Sequence, residues 1–213
     1  KVSQQWNNET KTVDTLDPEY GFWRIYNYNA SVSANTTIYG TYTAKKKERK
    51  LQAVRHTLTP NIGFAYSPDF SRQRYGFYET VQTDTTGRFK VYSPFTDNAY
   101  GVPGSGQQFN LTFGLSQSLE AKVRTKDTVK KVKIIEDLSF SGSYDIAKDS
   151  LNFSYLSING RTTLFKNLSV RYSSIWEPYI LDSTGRKQLN QFEWNVNNRL
   201  FRKNSVSWNF SLS

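Results

Sequence analysis

The chain has 213 residues, no cysteine, a formal net charge of +10 at pH 7 and 15% aromatic residues, yet its mean hydropathy is −0.66. This length suits one β domain or one sector of a larger barrel. The lack of cysteine excludes disulfides and thiolate chemistry, and the lack of a run of about 18 apolar residues excludes a transmembrane helix. Many aromatic rings in a polar chain are typical of strands that alternate apolar and polar side chains.

The chain opens with a segment of mixed character. Residues 1–4 lack the pattern of a signal peptide, so we expect a mature or internal start. From residue 22 to residue 44 the odd positions are mainly Asn, Ser and Thr, and the parity never slips. This predicts one long strand, or two strands joined by a turn near Asn35.

A second strand is predicted over residues 54–66. Pro60 lies within it, and proline cannot donate a hydrogen bond to the ladder, so we expect a bulge or weak pairing there. Residues 67–107 are rich in Gly, Pro, Tyr and Asp. A loop of this length is uncommon in a compact soluble domain but fits an extracellular barrel loop.

Six further strands are predicted over residues 109–119, 138–146, 156–164, 168–176 and 192–200 and from Val206 onward. The fold class we predict is all-β, an antiparallel up-and-down transmembrane β-barrel in which about eight strands form a sector of a larger barrel. We expect one domain over residues 1–213, with 1–20 as a leading loop and 67–107 as a long extracellular loop. The alternation predicts these lipid-facing residues: Phe109, Leu111, Phe113, Leu115, Phe140, Tyr144, Ile158, Leu164, Val170, Tyr172, Trp194, Val196, Trp208 and Phe210.

The connections between the predicted strands alternate in character. Long connections with balanced charge alternate with compact basic links at 45–50, 121–137, 166–167 and 202–204. Successive connections of a meander lie at opposite ends of the sheet, and short turns of bacterial barrels face the periplasm. We therefore predict a basic periplasmic end, although the opposite orientation, with the cations meeting lipid A phosphates outside, stays open. The predicted basic turn residues are Lys45, Lys46, Lys47, Arg49, Lys50, Lys130, Lys131, Lys133, Arg202 and Lys203.

Residues that could carry catalysis are sparse. His56 is the only histidine, so it has no second imidazole for a metal, and a structural role is favoured. No G-x-S-x-G, P-loop, G-x-G-x-x-G or H-E-x-x-H motif occurs. We predict no enzyme activity, no metal and no cofactor, and no nucleic-acid partner because the cations neither form one face nor interleave with stacking aromatics.

The tryptophans allow two interpretations. Trp23, Trp176, Trp194 and Trp208 fall near predicted strand ends or beside the apolar positions. In a barrel they would form the interfacial girdle, which we favour, whereas in a soluble lectin they could stack on sugars.

Several strings resemble the Bacteroidetes-type branch of the LptD family, the outer-membrane proteins of lipopolysaccharide assembly. The likeness covers most of residues 20 to 200 and is carried by loop and strand-end signatures. These strings are residues 55–60 (RHTLTP), 64–70 (FAYSPDF), 75–78 (YGFY), 100–104 (YGVPG), 135–140 (IEDLSF), 149–152 (DSLN), 160–162 (GRT) and 164–168 (LFKNL).

The resemblance implies the C-terminal part of a large barrel in the bacterial outer membrane. Such a barrel receives lipopolysaccharide from a periplasmic bridge, is plugged by an LptE-type lipoprotein, and releases its substrate sideways into the outer leaflet. The implied partners are the remainder of the same barrel, this lipoprotein and bridge, and outer-membrane lipid. Pro60 is a possible weak-pairing position for lateral release, although a bulge that merely bends the strand is the simpler interpretation.

Two departures limit what the resemblance carries. The segment has no cysteine, so maturation through disulfides cannot operate within it, and the periplasmic lipid-carrying domain is missing from it. Two other functions also stay open. One is a general pore or nutrient-uptake barrel whose segment 67–107 folds inward, and the other is a soluble sugar-binding β-sandwich.

Overall fold

The computed structural model describes residues 1–45, 49–97, 99, 101–125, 128–165 and 167–212. The chain is all-β with antiparallel sheets, as predicted, and has one short helix, α1 (Glu193–Asn197), and one 3-10 turn (Gln73–Tyr75) in these residues. None of these helices is long and apolar enough to span a membrane. The strands are β1 (Gln4–Asn7), β2 (Thr12–Thr15), β3 (Ala30–Asn35), β4 (Ile38–Thr43), β5 (Leu51–Ser67), β6 (Glu79–Gln82), β7 (Phe89–Tyr92), β8 (Gln108–Thr125), β9 (Thr128–Asp145), β10 (Leu156–Leu164), β11 (Leu168–Glu177), β12 (Tyr179–Leu181), β13 (Gln188–Phe192) and β14 (Arg202–Leu212).

Eight of these strands form one sheet in the order β14-β11-β10-β9-β8-β5-β3, with β4 also pairing with β5. Apart from the separate hairpins β6–β7 and β12–β13, and from β3 and β4, which share the partner β5, adjacent strands of this sheet follow one another along the chain. This is the predicted up-and-down order. Within the described residues the sheet does not close on itself, because β14 lies at one edge and the line of β3 and β4 at the other.

β3 and β4 lie end to end along one edge of the sheet, here called the edge line, and the break between them lies opposite Pro60. Both strands pair with β5, so the chain continues along one partner instead of reversing near Asn35. The Thr36 amide donates to the Pro60 carbonyl at 3.3 Å, and Pro60 has no N–H with which to return the bond. Residues 22–29 lie outside any strand, so the predicted strand from residue 22 begins too early.

The hairpin of β8 and β9 is longer than predicted. Each strand has 18 residues, and the pairing shifts register twice, between Gln117 and Leu119 and between Leu119 and Glu120. The predicted basic link 121–137 is therefore wrong, because only residues 126–127 separate the two strands and these lie outside the described residues. Lys130, Lys131 and Lys133 belong to β9 and not to a turn.

The predicted strand over residues 192–200 is also wrong. β13 ends at Phe192, where it pairs with Tyr179 of β12, and the chain then turns into α1. The helical turn is held because Glu193 is buried, accepts a hydrogen bond from Asn197 Nδ2 at 2.7 Å and faces the Arg202 guanidinium at 3.8 Å. A left-handed Asn198, with φ of 52°, ends it.

The last two predicted basic residues lie at the other end of the sheet from the short connections. The connection from β11 to β14 spans residues 178–201, so β14 begins at the end where β11 finishes, with Glu177 paired to Arg202. Arg202 and Lys203 therefore lie in β14, at the end of the long connections, and not in a short basic turn. Lys45, Arg49 and Lys50 do lie in the short connection between β4 and β5, and Lys46 and Lys47 fall outside the described residues.

The chain divides into two compact units, the first formed by residues 1–30 and 66–108. Hairpins β1–β2 and β6–β7 belong to it, so the predicted leading loop 1–20 and long loop 67–107 both contain paired strands. The side chains of Phe70, Phe77, Val81 and Phe95 are buried in this unit. The second unit, residues 31–65 and 109–213, holds the large sheet.

Candidate lipid-facing surface

The strand registers place the predicted apolar side chains on one face of the large sheet. Residues directly opposite each other in antiparallel strands share a face. Leu115 and Ile158 both lie opposite Phe140, which joins β8, β9 and β10. Farther along the sheet, Tyr172 lies opposite Trp208, and the same pairing joins β11 to β14 at Val170 and Phe210.

This apolar face is uncovered. Trp208 is 59% exposed and Phe210 64% exposed, although the two rings stack with a centroid distance of 6.3 Å. Soluble monomers seldom leave so large a contiguous apolar surface open to water. The face therefore has the chemistry of a surface that meets a partner or a bilayer.

The same face continues across β5 and β4. Leu58 lies opposite Ile38, and Val54 lies opposite Tyr42. Tyr42 is 56% exposed and Ile38 53% exposed, so this part of the face is also open. The predicted site left these residues out, although the alternation that placed Phe109 and Leu111 on the face extends to them.

Two predicted lipid-facing residues do not lie on the sheet. Trp194 and Val196 are in α1, because residues 193–197 form the helical turn described above. The other twelve lie in strands of the sheet. Phe109, Leu111, Phe113 and Leu115 are in β8, Phe140 and Tyr144 in β9, Ile158 and Leu164 in β10, Val170 and Tyr172 in β11, and Trp208 and Phe210 in β14.

The tryptophans do not form one girdle on this sheet. Trp23 belongs to the first unit and Trp194 to α1, whereas Trp176 lies at the end of β11 and Trp208 lies within β14. Trp176 Nε1 donates to Ser174 Oγ at 2.9 Å, which satisfies its polar atom at the edge of the apolar face. Trp208 packs against Tyr172 with ring centroids 4.7 Å apart.

A glycine makes room for one of the large rings. A Cβ added at Gly142 would lie 2.8 Å from Phe113 Cζ, on the strand directly opposite. Any side chain at residue 142 would displace the Phe113 ring, so this glycine lets the ring lie flat across β9.

One polar pair interrupts the apolar face. His56 Nε2 and Gln117 Oε1 are 3.0 Å apart, across the neighbouring strands β5 and β8. Gln117 lies opposite Leu138, and His56 alternates with Val54 and Leu58, so both belong to the apolar side. The structural role favoured for His56 stays a prediction.

The opposite face of the sheet is polar. Its cross-strand neighbours include Asn159 opposite Ser173 and Ser173 opposite Ser207. Arg161 forms an ion pair with Glu136 at 3.2 Å, above a shallow cavity of about 650 Å³ on this face. Among the described residues, no three Asp, Glu or His side chains are grouped closely enough to hold a metal ion.

Carboxylates of the connecting segments form local hydrogen bonds. Asp69 Oδ1 accepts from Ser71 Oγ at 2.6 Å and from the Gly106 amide at 2.8 Å. The Ser71 hydroxyl is the main cause that holds the pKa of Asp69 below its ordinary value. In the same way the Thr184 hydroxyl lowers the pKa of Asp182, in the turn between β12 and β13. These carboxylates therefore stabilise the connecting segments through hydrogen bonds.

The sequence matches the model of one known protein family. The family model described as "LptD protein" matches residues 1–179. The chain belongs to the LptD family. Comparisons with curated proteins and with solved structures gave no match. LptD proteins are outer-membrane proteins of Gram-negative bacteria with a general role in lipopolysaccharide transport and assembly, and they are not enzymes.

The matched residues do not include the whole candidate surface. β3 to β11 lie within the match, whereas α1 and β14 follow it. The resemblance found in the strings of residues 55–168 is thus confirmed for this LptD chain, and Trp208 and Phe210 extend the apolar face past the matched segment.

Proposed function

We propose that the large sheet is a sector of a transmembrane β-barrel in the bacterial outer membrane, and that it helps to insert lipopolysaccharide into the outer leaflet by lateral release. The observation that carries this proposal is the uncovered apolar face, continuous from Tyr42 of β4 to Phe210 of β14, backed by a polar face. In a barrel the first faces hydrocarbon and the second faces a hydrated lumen.

The strand lengths fit a bilayer. β10 and β11 have 9 and 10 residues, and a tilted barrel strand needs roughly 9–11 residues to cross. The two open edges of the sheet then pair with the remainder of the barrel, since an unpaired strand edge is not tolerated in hydrocarbon.

The orientation follows from the connections. Residues 44–50 and 165–167 form short connections at one end of the sheet, whereas residues 68–107, 146–155 and 178–201 form the long connections at the other. Short turns of bacterial barrels face the periplasm, so the long segments are extracellular. The end with the short connections, which faces the periplasm in this proposal, is also the end rich in lysine and arginine.

Pro60 supplies a position of weak strand pairing in this proposal. The edge line of β3 and β4 is interrupted opposite Pro60, and Pro60 has no amide hydrogen to donate to the Thr36 carbonyl. Lateral release needs a seam that opens at low cost, and a missing ladder hydrogen bond lowers that cost by about 1 kcal/mol. The LptE-type lipoprotein and the periplasmic bridge are the proposed partners.

The experiment is depletion of the full-length protein in its own bacterium, with lipopolysaccharide measured at the cell surface. We expect surface lipopolysaccharide to fall while the molecule accumulates inside the outer membrane. Unchanged surface lipopolysaccharide would favour a general pore, for which loss of nutrient uptake is the matching readout. A sugar-binding sandwich is disfavoured because its apolar faces would be buried against each other.

A further inference from the structure

We infer that the polar face of the sheet carries a binding site for phosphate ester groups, in a basic groove formed by Arg55, Lys122 and Lys131. The site deepens the proposed function, because it names the chemical group of the lipopolysaccharide that this sector would hold. Its ligand class is a phosphorylated saccharide.

The groove spans four adjacent strands. It has a volume of about 420 Å³, and its lining includes Thr41 of β4, Arg55 of β5, Lys122 of β8 and Lys131 of β9. Thr41 lies opposite Arg55 and Lys122 lies opposite Lys131. Directly opposite residues share a face, and Thr112 of β8 contacts Gly63 of β5, which places even positions of β8 on the same face as odd positions of β5. All four side chains therefore belong to the polar side of the sheet.

Cations outnumber carboxylates in this groove. Lys133 and Arg124 alternate with the lining residues on the same face, and Glu120 is the one carboxylate among these described residues. Within the described chain, neither Lys122 nor Lys131 forms an ion pair within 4 Å. Arg55 contacts the Tyr39 ring at 4.4 Å, a contact that leaves its hydrogen-bond donors available.

The pairing of Lys122 with Lys131 is unfavourable without a ligand. Like charges directly opposite each other in a sheet destabilise it. A dianionic phosphate between the two ammonium groups would reverse the sign of this interaction. The Arg55 guanidinium can bind a phosphate through two parallel N–H bonds, and the Thr41 hydroxyl is a further donor.

The β8 and β9 residues of the groove lie beyond the membrane-crossing part of those two strands. β8 and β9 each have 18 residues, against roughly 9–11 for a crossing. The register shifts after Gln117 separate the apolar stretch of β8 from the lysine-rich end. Charged groups there stay hydrated, and in the proposed orientation the groove faces substrate at the periplasmic side.

The test is a binding titration with the purified full-length protein and its lipoprotein partner in detergent. The probe is a phosphorylated glucosamine disaccharide without acyl chains, and its unphosphorylated form and inorganic phosphate serve as comparison ligands. We expect the phosphorylated disaccharide to bind about tenfold more tightly than the unphosphorylated one, or by about 1.4 kcal/mol. Equal binding of the two disaccharides overturns the inference, and tighter binding of inorganic phosphate overturns the saccharide as the ligand class.

Variants separate the groove from overall charge. Lys122→Gln with Lys131→Gln should weaken binding of the phosphorylated probe about tenfold, and Lys122→Arg with Lys131→Arg should retain it. The control removes two exposed cations from the β12–β13 turn, Arg186→Gln with Lys187→Gln. Equal loss in this control, or wild-type binding by the double glutamine variant, overturns the inference.

A single change on another strand covers the case in which the double variant fails to fold. Arg55→Gln should weaken binding several-fold, and wild-type binding by this variant also overturns the site. This titration is separate from the depletion experiment. Unchanged surface lipopolysaccharide contradicts the proposed function, whereas phosphate binding succeeds or fails on its own.

Discussion

His56 donates a hydrogen bond of 3.0 Å from Nε2 to Gln117 Oε1, and each residue lies among apolar neighbours on the same face. In the proposed barrel this face meets lipid, so no water would replace a lost hydrogen-bond partner there. His56→Leu should therefore lower the free energy of unfolding by about 1–3 kcal/mol. The measurement is urea unfolding of the full-length protein in lipid vesicles.

The matched variant removes both partners of this pair. His56→Leu with Gln117→Leu leaves no polar atom without a hydrogen bond, so most of the lost stability should return. If the double variant is as unstable as the single one, the pair contributes through shape and not through its hydrogen bond.

Two adjacent positions of β14 test the lipid-facing surface. Phe210→Arg places a cation on the apolar face, opposite Val170 near the start of β11, and should destabilise the folded protein in vesicles by about 1 kcal/mol. Ser211→Arg makes the same change on the polar face, opposite Ser169, and should be tolerated. Equal effects in the two variants would contradict the assignment of the faces.

Pro60→Val tests the weak pairing of the edge line. The new amide can donate toward Thr36, whose own amide already bonds the residue 60 carbonyl. We expect slower amide hydrogen exchange for residues 36–37, measured by mass spectrometry of the full-length protein. Leu58→Val is the control, because residue 58 has a backbone N–H both as leucine and as valine. Faster exchange in Pro60→Val would instead show that the strand needs the proline.

Asp69 gives the first unit a pH dependence. Its pKa is lowered, chiefly by the Ser71 hydroxyl and also by the Gly106 amide. A carboxyl with a depressed folded pKa stabilises the fold above its unfolded pKa and loses that contribution as pH falls through the folded value. The protection of the Gly106 amide, expressed as its exchange rate relative to an unstructured amide at the same pH, should therefore fall as the pH drops below about 4.

Asp69→Asn is the matched variant for this titration. The asparagine oxygen still accepts hydrogen bonds but does not titrate, so the protection of the Gly106 amide should no longer fall in acid. The readout is the exchange rate of the peptide that contains residues 105–107, divided by the rate of the same peptide in the unfolded protein at each pH. A retained acid response would assign the effect to another carboxyl.

Arg202 links β14 to the end of the long connection. It bonds Glu177 and faces Glu193, which is 3% exposed. Arg202→Gln leaves two carboxylates without their cation, which should cost about 3 kcal/mol. Lys203→Gln, one residue along the same strand and exposed, should have little effect on the thermal midpoint. Similar midpoints for the two variants would contradict a stabilising role for Arg202.

Period-two alternation located the strands whose two faces meet different environments. The prediction for residues 156–164 matches β10, and the one for 168–176 misses a single residue of β11. It failed for residues 128–137, which are the first ten of the 18 residues of β9. Lysines there occupy both faces, so the sequence carries no alternation, and only pairing with β8 defines the strand.

The error at residues 192–200 has a nonlocal cause. Trp194 and Val196 alternate with polar residues as strand residues do, and their positions mimicked the pattern of β8. The helical turn depends on Glu193 meeting Arg202, nine positions along the chain. The alternation of a short segment contains no information about that ion pair. Because residues 193–197 form a helical turn and not part of a strand, Arg202 and Lys203 lie at the end of the sheet opposite to the predicted one.

The register shifts of the β8–β9 hairpin have a consequence for how the length of this chain can vary. Before Gln117, inserting or deleting one residue would move each later side chain of the strand from the apolar face to the polar face, or the reverse. After Glu120, the hairpin arms project past the bilayer in the proposed barrel, and a residue gained or lost near their tip would alter only hydrated positions. Length differences among relatives should therefore gather at the tip and spare the stretch of β8 that begins at Phe109.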